Sequence, residues 1–495
     1  MSTEGEVFRR MQAARRALDW PTLGVAVLLL LLFYWGLGSL PFLSVNEARR
    51  AVTTREMYES AQWLLPYMNG ELYLSKPDLS LPNPPLFYWL ALVSMSLSGS
   101  ISEWSVRLPS ALFATVCCLT LYRQARAFAG RQVALLAVMF LAANAGFSLF
   151  ARRAEIEMPL TGLCLLALFC AWRFLFAQGG RSWVWLSYGL LGCALLTKGP
   201  VCLLWVTAPI LVYALISRDR LARAFLCDSR GWMLAVLIGI SWYLAVSMQE
   251  GWGVWSAIIN EDIVKKINGQ GAEAWYAYLL YLGGDFFPFW LILLVRPRQL
   301  WHAIRLSPQL TLLLCCILVP LLVFSLFTEK HAKYLLPVYP AIALLLAWHW
   351  SQLLTEARHP WWRWSLRVVP AVVLAGYTLF YLGLEGRVFA HRIDGFPQIK
   401  AATDAYPNFP AYSLGAADIR LVYYMGRPVS SITELEASSV AHTPGLLFVR
   451  EPLPAALQAL APCTLTRIES YLRPKRSALL LGLGSLCANQ GQIKP

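Results

Sequence analysis

Apolar residues along this chain recur in long runs that approach the ~20 positions an α-helix needs to cross a hydrocarbon layer. The runs predict spans at 21–40, 106–122, 133–150, 158–177, 183–197, 201–217, 232–248, 276–295, 309–327, 335–354 and 367–386, the shorter of which need tilt or neighbours to reach across. Pro85 to Ser100 is another apolar stretch, but a short one. It is predicted as an interfacial or partly buried helix, because counting it as a span would reverse the side of every later loop. After Gly386 the pattern changes to short mixed segments punctuated by turns. There Gly445–Arg450 and Ala478–Leu483 read as strands, and Pro454–Leu460 as a helix with its proline in the first turn. The expectation is an all-α polytopic membrane domain over 1–386, of about eleven to thirteen transmembrane helices. Its first outer loop runs over 41–105, and a small α/β domain follows over 387–495.

Composition agrees and charge adds an orientation. The 495 residues are 58% apolar and only 14% charged, which excludes a disordered chain and an ordinary soluble one. Lys and Arg number 42 against 28 Asp and Glu, a formal +14 that would be compatible with nucleic acid if it formed one patch. Instead, with the N-terminus cytoplasmic, Arg9, Arg10, Arg15 and Arg16 share a side with Arg123, Arg126, Arg131 and Arg181. Arg218, Arg220, Arg223, Arg230, Arg296, Arg298, Arg305, Arg358 and Arg363 continue the series in short loops. That is the bias of cytoplasmic loops, so the positive charge is read as topology, with no nucleic-acid partner. An odd number of spans puts the C-terminal domain on the opposite, outer side. No small-residue cleavage pattern precedes Val45, so the first span is expected to stay as an anchor. Nine of the eleven cysteines fall in spans or a cytoplasmic loop and read as small buried hydrophobes. Cys463 and Cys487 are the remaining pair, in a compartment that permits a disulfide.

The unusual polar residues gather in four outer loops. The first carries Asn46, Glu47, Arg49, Arg50, Arg55, Glu56 and Lys76; the second, ARRAEIEMP, carries Arg152, Arg153, Glu155 and Glu157. LTKGP places Lys198 in a tight turn, and LFTEKHAKYLLPVYP holds Glu329, Lys330, His331, Lys333 and Tyr334. A lipid phosphate at the bilayer surface would be held by such cations through charge-assisted hydrogen bonds, while a nearby carboxylate accepts a proton from an attacking hydroxyl. A cationic cradle also stabilises phosphate as a leaving group. Each piece has a plainer reading: charges at helix ends snorkel to head groups, Lys198 caps a turn, and Tyr73, Phe87, Tyr88 and Trp89 form an interfacial belt. A lipid or lipid-linked sugar transporter also fits the span count. Transporters, however, place binding groups near the bilayer centre in repeated halves, and neither feature is seen here.

At these residues the sequence resembles the bacterial lipid A aminoarabinose transferases and their broader kin, the protein O-mannosyltransferase-like GT-C glycosyltransferases. The likeness runs in order through NEARRAVTTREM, NGELYLSKP, PPLFYWL, VRLPSALFA, RRAEIEMPLTG, LLTKGPV, SWYLAV and KHAKYLLPVYPAIALLLA. It implies a multi-pass enzyme of the bacterial inner membrane, with active site and C-terminal domain facing the periplasm. Such an enzyme moves a sugar from a polyprenyl (undecaprenyl) phosphate donor, usually with inversion, to lipid A, another envelope glycan or a protein; a binding-only member is the alternative that Asn46 keeps open. The resemblance places the acidic pair of the first loop on Asn46 and Glu47, and the second-loop aspartate on Glu157. Arg49, Lys76, Lys198, Lys330 and Tyr334 are then the donor-phosphate ligands, with Asn83 a rival to Lys76 because of the inserted DLSLPN. Tyr73, Arg153, Lys333 and His331 would orient substrate. Asn46 is an amide and cannot act as a base, so Glu47 or Glu157 supplies that role unless the acceptor is itself an anionic phosphate. Beyond the lipid-linked donor no cofactor is implied; a divalent ion shared by Glu47 and Glu157 is the one metal the pattern leaves room for, with no ligand spacing that requires it. The partners implied are that donor, a membrane-associated acceptor and the surrounding lipids.

Overall fold

A computed structural model describes residues 20–73, 84–253, 273–328, 330–388, 395–459, 462–469, 477–484 and 486. Its helices are α1 (Trp20–Tyr34), α2 (Val45–Glu59), α3 (Leu86–Ser98), α4 (Glu103–Ala142), α5 (Ala145–Ala151), α6 (Glu157–Phe176), α7 (Arg181–Lys198) and α8 (Leu203–Ser217). After them come α9 (Arg220–Leu226), α10 (Ser229–Glu250), α11 (Ala277–Asp285), α12 (Pro297–Leu306), α13 (Pro308–Ser325), α14 (Tyr339–Glu356) and α15 (Pro360–Val388). Among the described residues six helical segments are long and apolar enough to cross a membrane: α4, α6, the run Arg181–Ser217, α10, α13 and α15.

The predicted spans differ from these helices where glycine or proline interrupts them. Spans 106–122 and 133–150 fall on α4, which is broken at Ala129 and Gly130, and the second span stops at Ala142 before the separate α5. Spans 183–197 and 201–217 are α7 and α8, divided by the turn Gly199–Cys202, where Gly199 takes φ +76°, a conformation open to glycine. Span 276–295 shortens to α11 and a 3-10 turn, Phe289–Leu294, because Pro288 has no N–H to carry a helix through. Span 335–354 begins as the 3-10 turn Ala332–Val338 and becomes α14. Span 21–40 keeps its helix only to Tyr34. The stretch 85–100 is α3, thirteen residues long, with Phe87, Tyr88, Ala91, Leu92 and Met95 buried against the rest of the protein.

The C-terminal region forms a five-stranded sheet in the order β4-β3-β5-β7-β6. Its strands are β3 (Ala411–Leu414), β4 (Val429–Ile432), β5 (Gly445–Arg450), β6 (Cys463–Ile468) and β7 (Ala478–Leu483); β1 (Tyr67–Met68) and β2 (Glu71–Leu72) form a separate hairpin near the N-terminus. β3 runs parallel to β4 and β5, and β7 antiparallel to β5 and β6. The uninterrupted apolar run of β7 follows from its central place, buried on both faces. Helices at Gly395–Asp404, Ile419–Met425, Glu434–Val440 and Ala455–Ala459 accompany the strands, so the α/β expectation holds, including the limits of β5 and β7.

This sheet region shares an apolar core with the first loop. Phe42, Ala48, Val52, Phe87 and Tyr88 cluster with Leu421, Val422, Leu446 and Leu480. Polar ties cross the same boundary. The Phe42 N–H donates to the Tyr424 hydroxyl (2.7 Å), and Arg55 donates to the carbonyls of Val422 (3.3 Å) and Tyr423 (2.9 Å). Asn69 pairs both ways with the backbone of Val429 (2.9 and 2.7 Å). Cys463 is disulfide-bonded; Cys487, its expected partner, lies outside the described residues. Of the nine free cysteines, Cys227 is exposed and Cys193 half-buried, and the other seven are buried as expected.

Candidate functional site

Helix α2 organises the site, and it is an unusual helix. Ser44 caps it by accepting the Asn46 N–H (3.2 Å), and Glu47 in its first turn complements the helix dipole. Beside its small apolar patch of Ala48, Ala51 and Val52, the polar Glu47, Arg50, Thr53, Thr54 and Arg55 are buried too, because the membrane helices cover one side and the sheet region the other. Buried charge at this density requires partners.

Two sets of partners lie on either side of the loop 152–156 between α5 and α6. On one side, the Glu47 carboxylate accepts from Arg107 Nε (3.0 Å) and from the Ala154 N–H (2.9 Å). The rest of the Arg107 fork donates to the carbonyls of Leu37 (3.0 Å), Leu40 (2.6 Å) and Pro41 (3.1 Å). Nearby, Arg152 donates to the Leu32 carbonyl (2.8 Å), meets Glu385 (3.5 Å) and lies over the Tyr381 ring at 4.6 Å. Arg153 lines a cavity of about 40 Å³ here, together with Glu47, Arg107, Arg152 and Glu385. A void of that size admits about three water-sized groups.

On the other side Glu157, the first residue of α6, accepts from Lys198 Nζ (3.1 Å) and stands 3.6 Å from Lys333 Nζ. Lys333 lies 3.8 Å from Glu155 as well, so one ammonium bridges two buried carboxylates. Lys198 in turn sits 4.7 Å over the Tyr334 ring, which stacks on Phe324. The buried Arg50 guanidinium faces Glu155 and Glu157 and anchors on the Asn46 carbonyl (3.1 Å). Tyr73 and Tyr88 close the same side, both buried. Glu155 Oε2 and Glu157 Oε2 have no hydrogen-bond partner among the described residues. Burial, and next the adjacent Glu157 charge, push the Glu155 carboxyl up to about 7, against the opposing pull of Arg50 and Lys333.

Of the residues expected from sequence, the structure thus brings Glu157, Lys198, Lys333, Tyr334 and Tyr73 together, and it adds Arg50 and Glu155. Asn46 and Arg49 are half-buried on α2 beside them. Glu47 and Arg153 lie across the loop in the other set. Lys330 is buried but gives its ammonium to the carbonyls of Phe327 (2.7 Å) and Glu273 (3.2 Å). His331 is exposed and touches Tyr334 edge-on, with ring centroids 5.2 Å apart. Lys76, Asn83 and Glu329 lie outside the described residues. Glu47 and Glu157 are engaged by different cations, Arg107 and Lys198, and among the described residues no group of three or more His, Cys, Asp or Glu is placed to hold a metal ion. Sequence reading overlooked Arg107. Its signal was a lone arginine one residue inside an otherwise apolar span.

Residues 82–248 match the family described as dolichyl-phosphate-mannose-protein mannosyltransferase. An undecaprenyl phosphate-alpha-4-amino-4-deoxy-L-arabinose arabinosyl transferase of Sodalis glossinidius is 30% identical over 313 residues, 61% of this chain and 54% of that protein. An uncharacterised protein of Aquifex aeolicus is 26% identical over 324 residues, 65% of this chain and 62% of that protein. The chain therefore spans less than two thirds of the length of these relatives. Among solved structures, ArnT from Cupriavidus metallidurans bound to undecaprenyl phosphate superposes with a TM-score of 0.78 at 20% identity, covering 92% of this chain and 97% of that one. A likeness at that identity establishes a shared fold.

Proposed function

We propose that this chain, which has the GT-C fold of the aminoarabinose transferase type, is a membrane glycosyltransferase that moves a sugar from a polyprenyl phosphate to an acceptor. Its setting is the bacterial inner membrane, with membrane domain 1–386, loop 41–105 and domain 387–495 arranged so that site and C-terminal domain face the periplasm. The arginine-rich loops of the opposite face support that orientation. The acceptor class is a periplasmic-face glycolipid such as lipid A, another envelope glycan or a protein.

The observation that carries the reading is the buried Arg50 and the half-buried Lys198 and Lys333 around the buried Glu155 and Glu157. Three cations face two carboxylates, so the cluster keeps a surplus positive charge even with both acids ionised. An incoming phosphate completes that balance. Lys198 and Lys333 lean on Glu157 and reach the phosphate by small rotations of flexible stems, and Arg50 offers a planar fork. When the bond between anomeric carbon and phosphate oxygen breaks, negative charge grows on the phosphate, and these cations stabilise it in a site shielded from water. Arg49 is read as a further phosphate ligand, as is Lys76 by the resemblance alone since it lies outside the described residues, and Tyr334 keeps the Lys198 ammonium aimed. Glu47 locks α2 onto the loop that presents Glu155 and Glu157, and is read as a positioning residue.

Purified full-length protein, reconstituted in liposomes with a labelled undecaprenyl phosphate sugar and an acceptor lipid, tests this. Release of free undecaprenyl phosphate with labelling of the acceptor is expected. Movement of the intact labelled lipid between leaflets with no such release identifies a transporter instead.

A further inference from the structure

We propose that Glu155 is the proton acceptor of the transfer and that the acceptor substrate is correspondingly an alcohol. The proposal rests on the glycosyltransferase reading above and deepens it.

The other acidic or amide groups are each disqualified by what they touch. Asn46 has no basic oxygen. Glu47 Oε1 already accepts from Arg107 and from a backbone N–H, and its loss would release the loop. Glu157 is committed to the cradle: its Oε1 accepts from Lys198 Nζ at 3.1 Å and stands 3.6 Å from Lys333 Nζ. Glu155 is different. It is 2% exposed and its Oε2, like that of Glu157, has no hydrogen-bond partner among the described residues; unlike Glu157, no ammonium lies within hydrogen-bond distance of it there, and its one ion-pair contact among those residues is Lys333 at a loose 3.8 Å. The charged groups that face it are Glu157 from α6, Glu47 and Arg50 from α2, and Lys333 from the 3-10 turn Ala332–Val338. Burial first and the Glu157 charge next raise its proton affinity, against Arg50 and Lys333, and carry it to about 7. An unpartnered, buried acceptor oxygen next to a phosphate cradle is what an incoming O–H would fill.

The step balances within the site. The acceptor hydroxyl oxygen forms a bond to the anomeric carbon as the bond from that carbon to the phosphate oxygen breaks. The bonding pair leaves with polyprenyl phosphate, and the hydroxyl proton passes to Glu155 Oε2. A phosphate monoester acceptor arrives already ionised and would gain nothing from this group.

The test compares wild type, Glu155→Gln, Glu155→Asp and Glu157→Gln, full length and reconstituted, with an undecaprenyl phosphate sugar and an alcohol acceptor. Glu155→Gln is expected to lower kcat about 100-fold or more while the donor KM stays near wild type. Wild-type kcat should rise with pH through about 7, where Glu155 loses its proton, and that rise should be absent from Glu155→Gln. Glu155→Asp should recover part of the rate, and retention of undecaprenyl phosphate by Glu155→Gln reports an intact fold. A Glu155→Gln enzyme with wild-type kcat, or with the same pH limb, overturns the proposal. So does loss of donor retention with no recovery in Glu155→Asp, which marks a structural role. A wild type that transfers faster to a phosphate monoester than to the alcohol, at a rate Glu155→Gln leaves unchanged, overturns it too. A wild type that transfers nothing at all sinks the glycosyltransferase reading itself.

Discussion

Residue identity decides more here than hydrophobicity does. Arg107 holds one carboxylate and three carbonyls, so removing it strands the buried Glu47 and frees the turn 37–41. Arg107→Leu is expected to cost about 3–5 kcal/mol, read as a large fall in melting temperature in detergent. Lys198→Met is the sharper probe of the phosphate cradle: the donor KM should rise by tenfold or more, with a smaller fall in melting temperature than Arg107→Leu because the buried Glu157 keeps Lys333 and Arg50 as partners. A Lys198→Met protein with unchanged donor affinity would remove this lysine from the phosphate site. Much of the site was legible at this scale. The paired loops ARRAEIEMP and LTKGP and the stretch KHAKY held Glu157, Lys198, Lys333 and Tyr334, and charge gathered at helix mouths was enough to point to them. Which carboxylate each cation takes was not legible, because the choice between Glu155 and Glu157 depends on side-chain reach across three elements. The same holds for Lys330, whose carbonyl partners Phe327 and Glu273 stand at a loop closure that no local pattern encodes.

Among the elements, α7 and α10 pack against each other, and glycines set the distance. A side chain at Gly192 would meet Ile238 at 2.7 Å, one at Gly239 would meet Leu195 at 2.6 Å, and one at Gly231 would meet the Tyr188 ring at 2.3 Å. Where helices share a membrane, small residues of this kind let backbones approach. Gly239→Val should therefore force the pair apart at a cost of about 1–3 kcal/mol, seen as a lowered melting temperature. Because α7 ends at Lys198, the same change should also weaken donor binding; unaltered melting would show that the contact is slack. Apolar run length foretold that these helices exist, and β5 and β7 emerged with their limits intact because turn residues bracket them. Breaks inside runs were harder. Pro288 and the pair Pro337 and Pro340 shorten the spans 276–295 and 335–354, since each removes a backbone donor within a mostly apolar run.

For the whole molecule, the sheet region is a second wall of the site. Arg55, Asn69 and Phe42 all bond to it, and Leu421 and Val422 cover the face of α2 turned away from the membrane helices. A chain ending at residue 388 should therefore fail to retain undecaprenyl phosphate even though its apolar helices still insert, measurable by lipid binding in detergent extracts. Sequence showed the region's α/β character but gave no hint of its docking, which depends on pairs separated by most of the chain. The bond from Phe42 to Tyr424 joins positions 382 residues apart. Synthesis runs from the amino end, so α2 emerges from the ribosome long before its second set of partners has been made. Until then its arginines and threonines must stay hydrated at the membrane surface. Assembly of the lipid-facing cleft is accordingly the last act of biogenesis, and a polypeptide released early carries its helices without ever becoming competent.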